Sequence, residues 1–293
     1  MAALALQYAL NGLATGSLYV LVALGIVILY RTSRILNFAH GDVATFGTFV
    51  AFTLITRLGV APPLAYLVTL GVTGFLGAGF YYFILRRAKE ATLLGQIVIT
   101  LGFALVLNGI VVVLWGADTK VFPSLLSETK VYHLGTIVIS QLSLGSLLVG
   151  FLLMALLYVL VQSTKVGLAM RAVSQNPLAA QTLGIPTRRV LALSWGVASA
   201  LGVSAGILLA PVTLLDPFMM LDPFLKGFAA AVLGGMDSPP GAVVGGLALG
   251  VVESLFGGFV SVAFKATLAF AIIVLVLTIR PEGLFGREYK KRV

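Results

Sequence analysis

Seven apolar runs, most close to the length a helix needs to cross a bilayer, dictate what this chain can become. They lie near Leu4–Tyr30, Leu36–Thr56, Pro63–Leu85, Leu93–Leu114, Leu142–Gln162, Val190–Leu209 and Phe264–Ile279. At helical rise, about 20 apolar residues span the roughly 30 Å hydrocarbon core. A further apolar region, Phe224–Phe256, is interrupted in its middle. The charged fraction of 10% is far below the roughly 25% of soluble domains, against 59% hydrophobic residues. These features predict an all-α polytopic membrane protein of about eight membrane helices, a single transmembrane domain over 1–293. No basic residue precedes Leu4–Tyr30, and that run is too long for a signal peptide, so the first helix is expected to stay in the protein.

The 33 glycines fit packing in lipid, where small residues let helix backbones approach closely. Pairs at four-residue spacing occur at Gly12/Gly16, Gly202/Gly206, Gly241/Gly245 and Gly246/Gly250. With no cysteine, the chain has neither disulfides nor thiolate chemistry.

A net charge of +9 raises the question of nucleic acid, and the distribution of charge answers it. When the polar stretches are assigned alternately to two sides, Arg57, Lys120, Lys130, Lys226 and Lys265 fall on one. The remaining fourteen of the 19 Lys and Arg, among them Lys89 and the terminal Arg287-Glu288-Tyr289-Lys290-Lys291-Arg292 run, fall on the other. The positive-inside rule makes that second side cytoplasmic, with the N-terminus out and the C-terminus in. The basic excess is therefore topological, and no nucleic-acid partner is expected. The lipid bilayer is the expected partner of the apolar runs and of the terminal basic run.

Parity then constrains Phe224–Phe256. Val190–Leu209 leaves the cytoplasm and Phe264–Ile279 returns, so the sequence between must cross an even number of times. Gly234-Gly235-Met236-Asp237-Ser238-Pro239-Pro240-Gly241 cannot be continuous helix. Phe224–Leu233 is about ten residues, roughly 15 Å of helix and half a membrane. A re-entrant pair of half-helices meeting near Asp237–Gly241 is the expected solution. It would make Gly234, Gly235, Asp237 and Gly241 candidates to line a pathway, because irregular backbone at membrane depth needs protein or a watery cavity around it. Two short, tilted crossings joined by a Ser-Pro-Pro-Gly turn at the cytoplasmic side are the alternative.

Polar residues within the spans are few. Asn37, His40 and Asp42 lie together at the start of the second span, as a gate or as an interfacial helix start with Asn37 capping. Thr100 and Asn108 lie in the fourth span as further pathway candidates. Glu253 must be paired, protonated or near an interface, and Lys226 and Lys265, assigned to the same external side, are its available partners. Gly202-Val203-Ser204-Ala205-Gly206 matches the serine-hydrolase elbow pattern, but it sits inside a helical span and neither His40 nor His133 is placed to serve it. Helix packing is its expected role. No nucleotide-binding loop and no metal-ligand cluster is present in the sequence, so the chain is read as a transport subunit, not an enzyme, without a cofactor of its own.

The polar stretch Ser163–Arg189 lies between two spans on the cytoplasmic side. Its centre is punctuated as one helix of about two turns: Asn176 as N-cap, Pro177 at the first helical position, Gly184 as a left-handed stop and Pro186 beyond it. So well-bounded an element outside lipid is suited to docking another protein. The stretch Gly167-Leu168-Ala169-Met170-Arg171-Ala172-Val173-Ser174-Gln175-Asn176, followed by Ala179-Ala180 and Gly184-Ile185, resembles the cytoplasmic coupling loop of ABC importer permeases. Leu178 stands where that signature usually has glutamate, a departure shared by the branched-chain amino-acid permeases. Asn37-Phe38-Ala39-His40-Gly41, Lys226-Gly227-Phe228 with Val232-Leu233-Gly234-Gly235, and Gly241-Ala242-Val243-Val244-Gly245-Gly246 agree with the same branch and run in its order.

The resemblance implies a permease bundle of the type II importer kind, with 163–189 as the coupling loop. Arg171, Asn176, Pro177, Leu178, Ala179, Ala180, Gln181 and Gly184 would serve ATPase coupling. It also implies two cytoplasmic ABC ATPase subunits holding ATP and magnesium, a second related permease subunit, an external substrate-binding protein, and the inner membrane as location. The implied cargo is a branched-chain amino acid. Urea and short-chain amide permeases share most of these motifs and remain the alternative, with a stand-alone channel, a secondary carrier or a non-transporting structural subunit behind them.

Overall fold

The structure is a computed structural model that describes residues 1–88, 92–123, 126, 130–134, 137–280 and 282–286. Lys89 and the terminal basic run from Arg287 lie outside the described residues. Among the described residues the chain forms α1 (Ala2–Ser33), α2 (His40–Thr56), α3 (Pro62–Gly79), α4 (Leu93–Trp115), α5 (Gln141–Ser163), α6 (Lys165–Gln175), α7 (Pro177–Thr182), α8 (Thr187–Thr213), α9 (Leu221–Gly234), α10 (Pro239–Phe259) and α11 (Lys265–Ile279). A two-stranded antiparallel hairpin, β1 (Val131–Leu134) with β2 (Ile137–Ser140), precedes α5; helical periodicity gives no hint of it. Among the described residues six helices are long and apolar enough to cross a membrane: α1, α3 with its extension to Arg87, α4, α5, α8 and α10. The chain is thus an all-α polytopic membrane protein, as its runs predict.

Two compact units divide the chain. The first comprises residues 1–27, 126–151 and 224–293, the second residues 28–125 and 152–223.

In the first unit the glycine pairs find each other. Gly12 and Gly16 of α1 face Gly250 and Gly246 of α10. A methyl group added at Gly12 would lie 2.6 Å from the Val251 Cα, and one at Gly16 would lie 2.9 Å from the Gly246 carbonyl oxygen. Two small-residue stripes thereby bring the backbones of helices more than 200 residues apart into contact. We expect Gly250→Leu to destabilise the unit by more than the ~1–3 kcal/mol of ordinary overpacking, because the obstruction is backbone and cannot rotate aside. A fall in the thermal unfolding midpoint of the detergent-solubilised protein checks this, with Val252→Leu on the exposed α10 face as the neutral control. The hairpin is pinned to α1 by Gln7, whose side chain donates to the Val138 carbonyl at 2.5 Å and accepts from its N–H at 2.8 Å.

The interrupted region folds as α9, a turn and α10. The break falls where glycine and proline put it, with Ser238 capping α10 by accepting from the Gly241 N–H at 3.1 Å and Pro239 at the first helical position. Only the first arm is short, at 14 residues. α10 runs for 21 residues, a full crossing length where a half-helix was expected. The Pro-Pro pair reads as a breaker in sequence, yet it starts this helix, because the first turn has no N–H bond to lose.

In the second unit α8 packs against α2 and α3. Gly196 lets the Gly74 carbonyl approach, Gly77 faces Ser199, and Gly206 faces Thr48 and Ala44. α3 ends in a π-helical turn, Phe80–Ile84, then one 3-10 turn to Arg87. That turn sets Phe80 and Tyr81 against the buried Trp195, with Phe80 stacked on Phe103 at 4.0 Å between centroids. The Trp115 indole donates to the Thr53 hydroxyl at 2.7 Å, and an antiparallel bridge joins Lys120 to Leu215.

Candidate functional site

The stretch 163–189 is better ordered than its polarity suggests. Thr164 caps α6 by accepting from the Gly167 N–H at 3.0 Å. α6 is thus a second helix in a stretch read as holding one. Gly167 is packed on the last turns of α5, where a Cβ would collide with the Leu160 and Val161 carbonyls. Arg171 turns back to α5, donating to the Gln162 side-chain oxygen at 2.8 Å and to its carbonyl at 3.2 Å. It therefore satisfies a carbonyl at the end of α5, one of the four a helix leaves without an internal partner.

α7 follows as its residues dictate. The Asn176 side chain accepts from the Ala179 N–H at 3.0 Å, and Pro177 occupies the first helical position. Gly184 takes φ +82°, a left-handed conformation open to glycine at little cost. The Gly184 N–H then bonds the Gln181 carbonyl, and the Ile185 N–H bonds the Ala180 carbonyl, both at 3.0 Å. One side of this short helix is anchored: Ala180, 3% exposed, sits in a cluster with Met170, Val173 and Val190. The other side is bare: Leu178 is 76% exposed and Leu183 81% exposed, with Pro177, Ala179 and Gln181 also exposed. Two large apolar side chains stand out of a polar loop on a helix held firmly from behind.

The polar residues of the second unit gather around the entrance to α2. The Asn37 side chain accepts from the Ala39 N–H at 3.1 Å, a local turn, while α2 begins at His40 with Ala39 as a cap that offers no side chain. Asn37 thus does not cap the helix as expected; its oxygen is spent before the first helical turn. Thr100 of α4 is fully buried, accepts from the Phe38 N–H at 3.3 Å and donates to the Ile97 carbonyl at 2.8 Å. His40 is 1% exposed and its ring packs closely on Gly202, where a Cβ would be 3.0 Å from ring atoms Cε1 and Nε2. Asp42 is half-buried two residues further on. Asn37, His40 and Thr100 therefore meet at one turn. Asn108 lies eight residues along α4, roughly 12 Å away, and donates to the Pro217 carbonyl at 3.0 Å. Ser204 accepts from the Tyr66 hydroxyl at 2.9 Å and donates to the Ala200 carbonyl at 2.7 Å, an interhelical tie.

Gly234, Gly235, Asp237 and Gly241 belong to the first unit, at the α9–α10 junction. Gly234 and Gly241 are pressed backbone to backbone, and Gly235 has φ +103°. In the same unit Glu253, 1% exposed, takes Lys226 at 2.6 Å, with Lys265 at 3.9 Å. Lys226 also lies 5.5 Å from the Tyr19 ring centroid, a cation–π contact that no sequence spacing announces. No group of three or more metal-binding side chains exists among the described residues.

Comparison with known proteins extends these observations. The family model described as the permease component of branched-chain amino acid transport systems matches residues 8–278. The high-affinity branched-chain amino acid transport system permease protein BraD of Pseudomonas aeruginosa is 32% identical, over 98% of both chains. LivH of Escherichia coli strain K12, of the same description, is 32% identical over 98% of this chain and 97% of its own. The probable branched-chain amino acid transport permease protein LivH of Methanocaldococcus jannaschii is 30% identical over 94% and 90%. In fold the chain is similar to PsaBC from Streptococcus pneumoniae, solved in complex with a Fab, with a TM-score of 0.53, 13% identity and coverage of 94% of this chain and 91% of that one. With a single family model running through nearly every helix described above, the chain belongs to the family of branched-chain amino acid transport system permease components.

Proposed function

We propose that this chain is the membrane-spanning permease subunit of an ABC importer that moves branched-chain amino acids into the cytoplasm, driven by separate ATPase subunits. The observation that carries the reading is α7, a capped helix backed by buried Ala180 and presenting Leu178 and Leu183 to solvent. Isolated apolar residues on such a polar loop lower the free energy most when a partner covers them. The partner is an ATPase subunit, and Leu178 in place of glutamate makes the contact one of apolar packing. The orientation follows from the charge asymmetry: N-terminus out, C-terminus in, loop 163–189 cytoplasmic.

The working assembly has two such ATPases carrying ATP and magnesium, a second related permease subunit and an external substrate-binding protein. This chain acts as one permease domain and holds no cofactor itself. Nucleotide-driven closure of the ATPases would move α7 with α6 and α8 as a rigid body, since Arg171 and the Met170–Val190 cluster tie the three to the end of α5. Asn37, His40, Asp42, Thr100 and Asn108 remain the pathway candidates of the second unit, and Gly234, Gly235, Asp237 and Gly241 those of the first.

A crosslink tests the docking. A photoreactive residue in place of the exposed Gln181 should join the co-expressed ATPase subunit in membranes, whereas the same residue at Val113, on the exposed face of α4, should not. Equal yields from both positions would remove the case for α7 as the contact.

A further inference from the structure

The residues that follow α11 do not simply leave the molecule. The Gly283 N–H bonds the Arg280 carbonyl at 2.9 Å, making a tight turn, and the chain then lies against the end of α9. There the Leu284 N–H donates to the Leu233 carbonyl at 2.9 Å and the Phe285 N–H to the Gly234 carbonyl at 3.0 Å. Both acceptors belong to the last turn of α9, whose final carbonyls have no partner within the helix. The C-terminal turn supplies those partners.

Glycine is required on both sides of this contact. Gly283 has φ +78°, and a Cβ on it would lie 2.6 Å from the Gly235 nitrogen and 2.7 Å from its Cα. A Cβ on Gly235 would lie 2.6 Å from the Gly286 nitrogen, and one on Gly241 would lie 3.1 Å from the Phe285 Cβ. The obstructing atoms are mostly backbone, so neighbours cannot yield by changing rotamer. The glycines at the α9–α10 junction thus make room for one specific segment of the same chain.

We infer that Glu282–Gly286 is a clasp that positions the α9–α10 junction and holds it at the membrane face where α11 ends. α11 ends at Ile279, and five residues later Leu284 is bonded to the end of α9, so the two helices terminate at nearly the same level. With α10 long enough to cross the membrane from that face, the junction lies at the face and not at mid-membrane depth. The junction is carried by the C-terminal turn, and loosening the turn exposes it.

The chain contains no cysteine, so a cysteine at the half-buried Met236 is the sole thiol. In sealed vesicles of each orientation, Met236→Cys should react with a membrane-impermeant maleimide from the face where protease removes a C-terminal tag. Adding Gly283→Val should speed that reaction at least fivefold. Labelling from the opposite face, or a rate unchanged by Gly283→Val, would overturn the inference. Should Gly283→Val not accumulate in membranes, cysteines at Met236 and Leu284 with a short dimaleimide decide the matter. The two halves should stay joined after cleavage at a protease site placed between α10 and α11, and separation of the halves counts against the clasp.

Discussion

Replacing Gly184 with proline should lower transport at least tenfold while leaving the chain in the membrane at normal amounts. Gly184 sits at φ +82°, whereas proline is fixed near −65°. Proline also lacks the N–H that bonds the Gln181 carbonyl, and the reversal that brings the Ile185 N–H to Ala180 depends on the same left-handed residue. α7 would lose its C-terminal stop and its seat on Met170 and Val173, so Leu178 and Leu183 would no longer be presented in a fixed geometry. The spans themselves contain none of these bonds. Gly184→Ala is the graded control: open space surrounds the position, so its cost is only the left-handed conformation, about 1–2 kcal/mol, and transport should fall partially. Uptake by vesicles, normalised to the amount of chain by immunoblot, measures both. Full uptake by the proline variant would remove α7 from the coupling.

The second large effect is expected in the first unit. Glu253→Ala should destabilise the protein by up to about 3–5 kcal/mol, because it removes the carboxylate that lies 2.6 Å from the buried Lys226 ammonium. The Tyr19 ring offsets only part of that loss, about 2 kcal/mol for a desolvated contact. Lys265, with a side chain 38% exposed at 3.9 Å, is a weak contributor to the trio. Replacing both charges, Lys226→Met with Glu253→Leu, should recover most of the stability, since a buried pair costs nearly as much to desolvate as it returns. Thermal unfolding in detergent reads the difference. A Glu253→Ala protein as stable as the parent would show that the pair is not buried as described.

What could be read from the residues was local. The caps of α7 are chemical facts about Asn176, Pro177 and Gly184, each acting within four residues, and the structure reproduces them bond for bond. Glu253 had to be paired, protonated or near an interface, and charge counting put Lys226 and Lys265 on its side. The glycine spacings announced close helix contacts, yet spacing alone cannot say that Gly12 and Gly16 meet Gly250 and Gly246, because that choice depends on how distant helices assemble. Asn37 shows the limit of a composition rule. A residue suited to capping can satisfy a nearer N–H, and the Ala39 N–H lies nearer than the helix. α6 was hidden by its polarity, and its apolar residues Met170 and Val173 face only a small cluster. The C-terminal turn left no trace in hydropathy, since its contacts are backbone to backbone.

The pathway candidates divide on similar grounds. Thr100, Asn108 and Asn37 were noticed as polar residues in apolar runs, and each is engaged by a backbone group of its own unit. Thr100 and Asn108 tie irregular segments to α4, and Asn37 closes a local turn ahead of α2. A polar residue in a membrane protein can signal a conduit or a backbone left unsatisfied by a broken helix, and the two are indistinguishable until partners are seen.

ATP-dependent uptake by vesicles tests the central claim most directly. The vesicles would contain this chain, its partner permease and the external binding protein, with and without the ATPase subunits, using labelled leucine challenged by valine, isoleucine, urea and ribose. The account predicts uptake only with ATPase and ATP present, and inhibition by valine and isoleucine but not by urea or ribose. Uptake that continues without any ATPase subunit would contradict it, and inhibition by urea alone would assign the chain a different cargo.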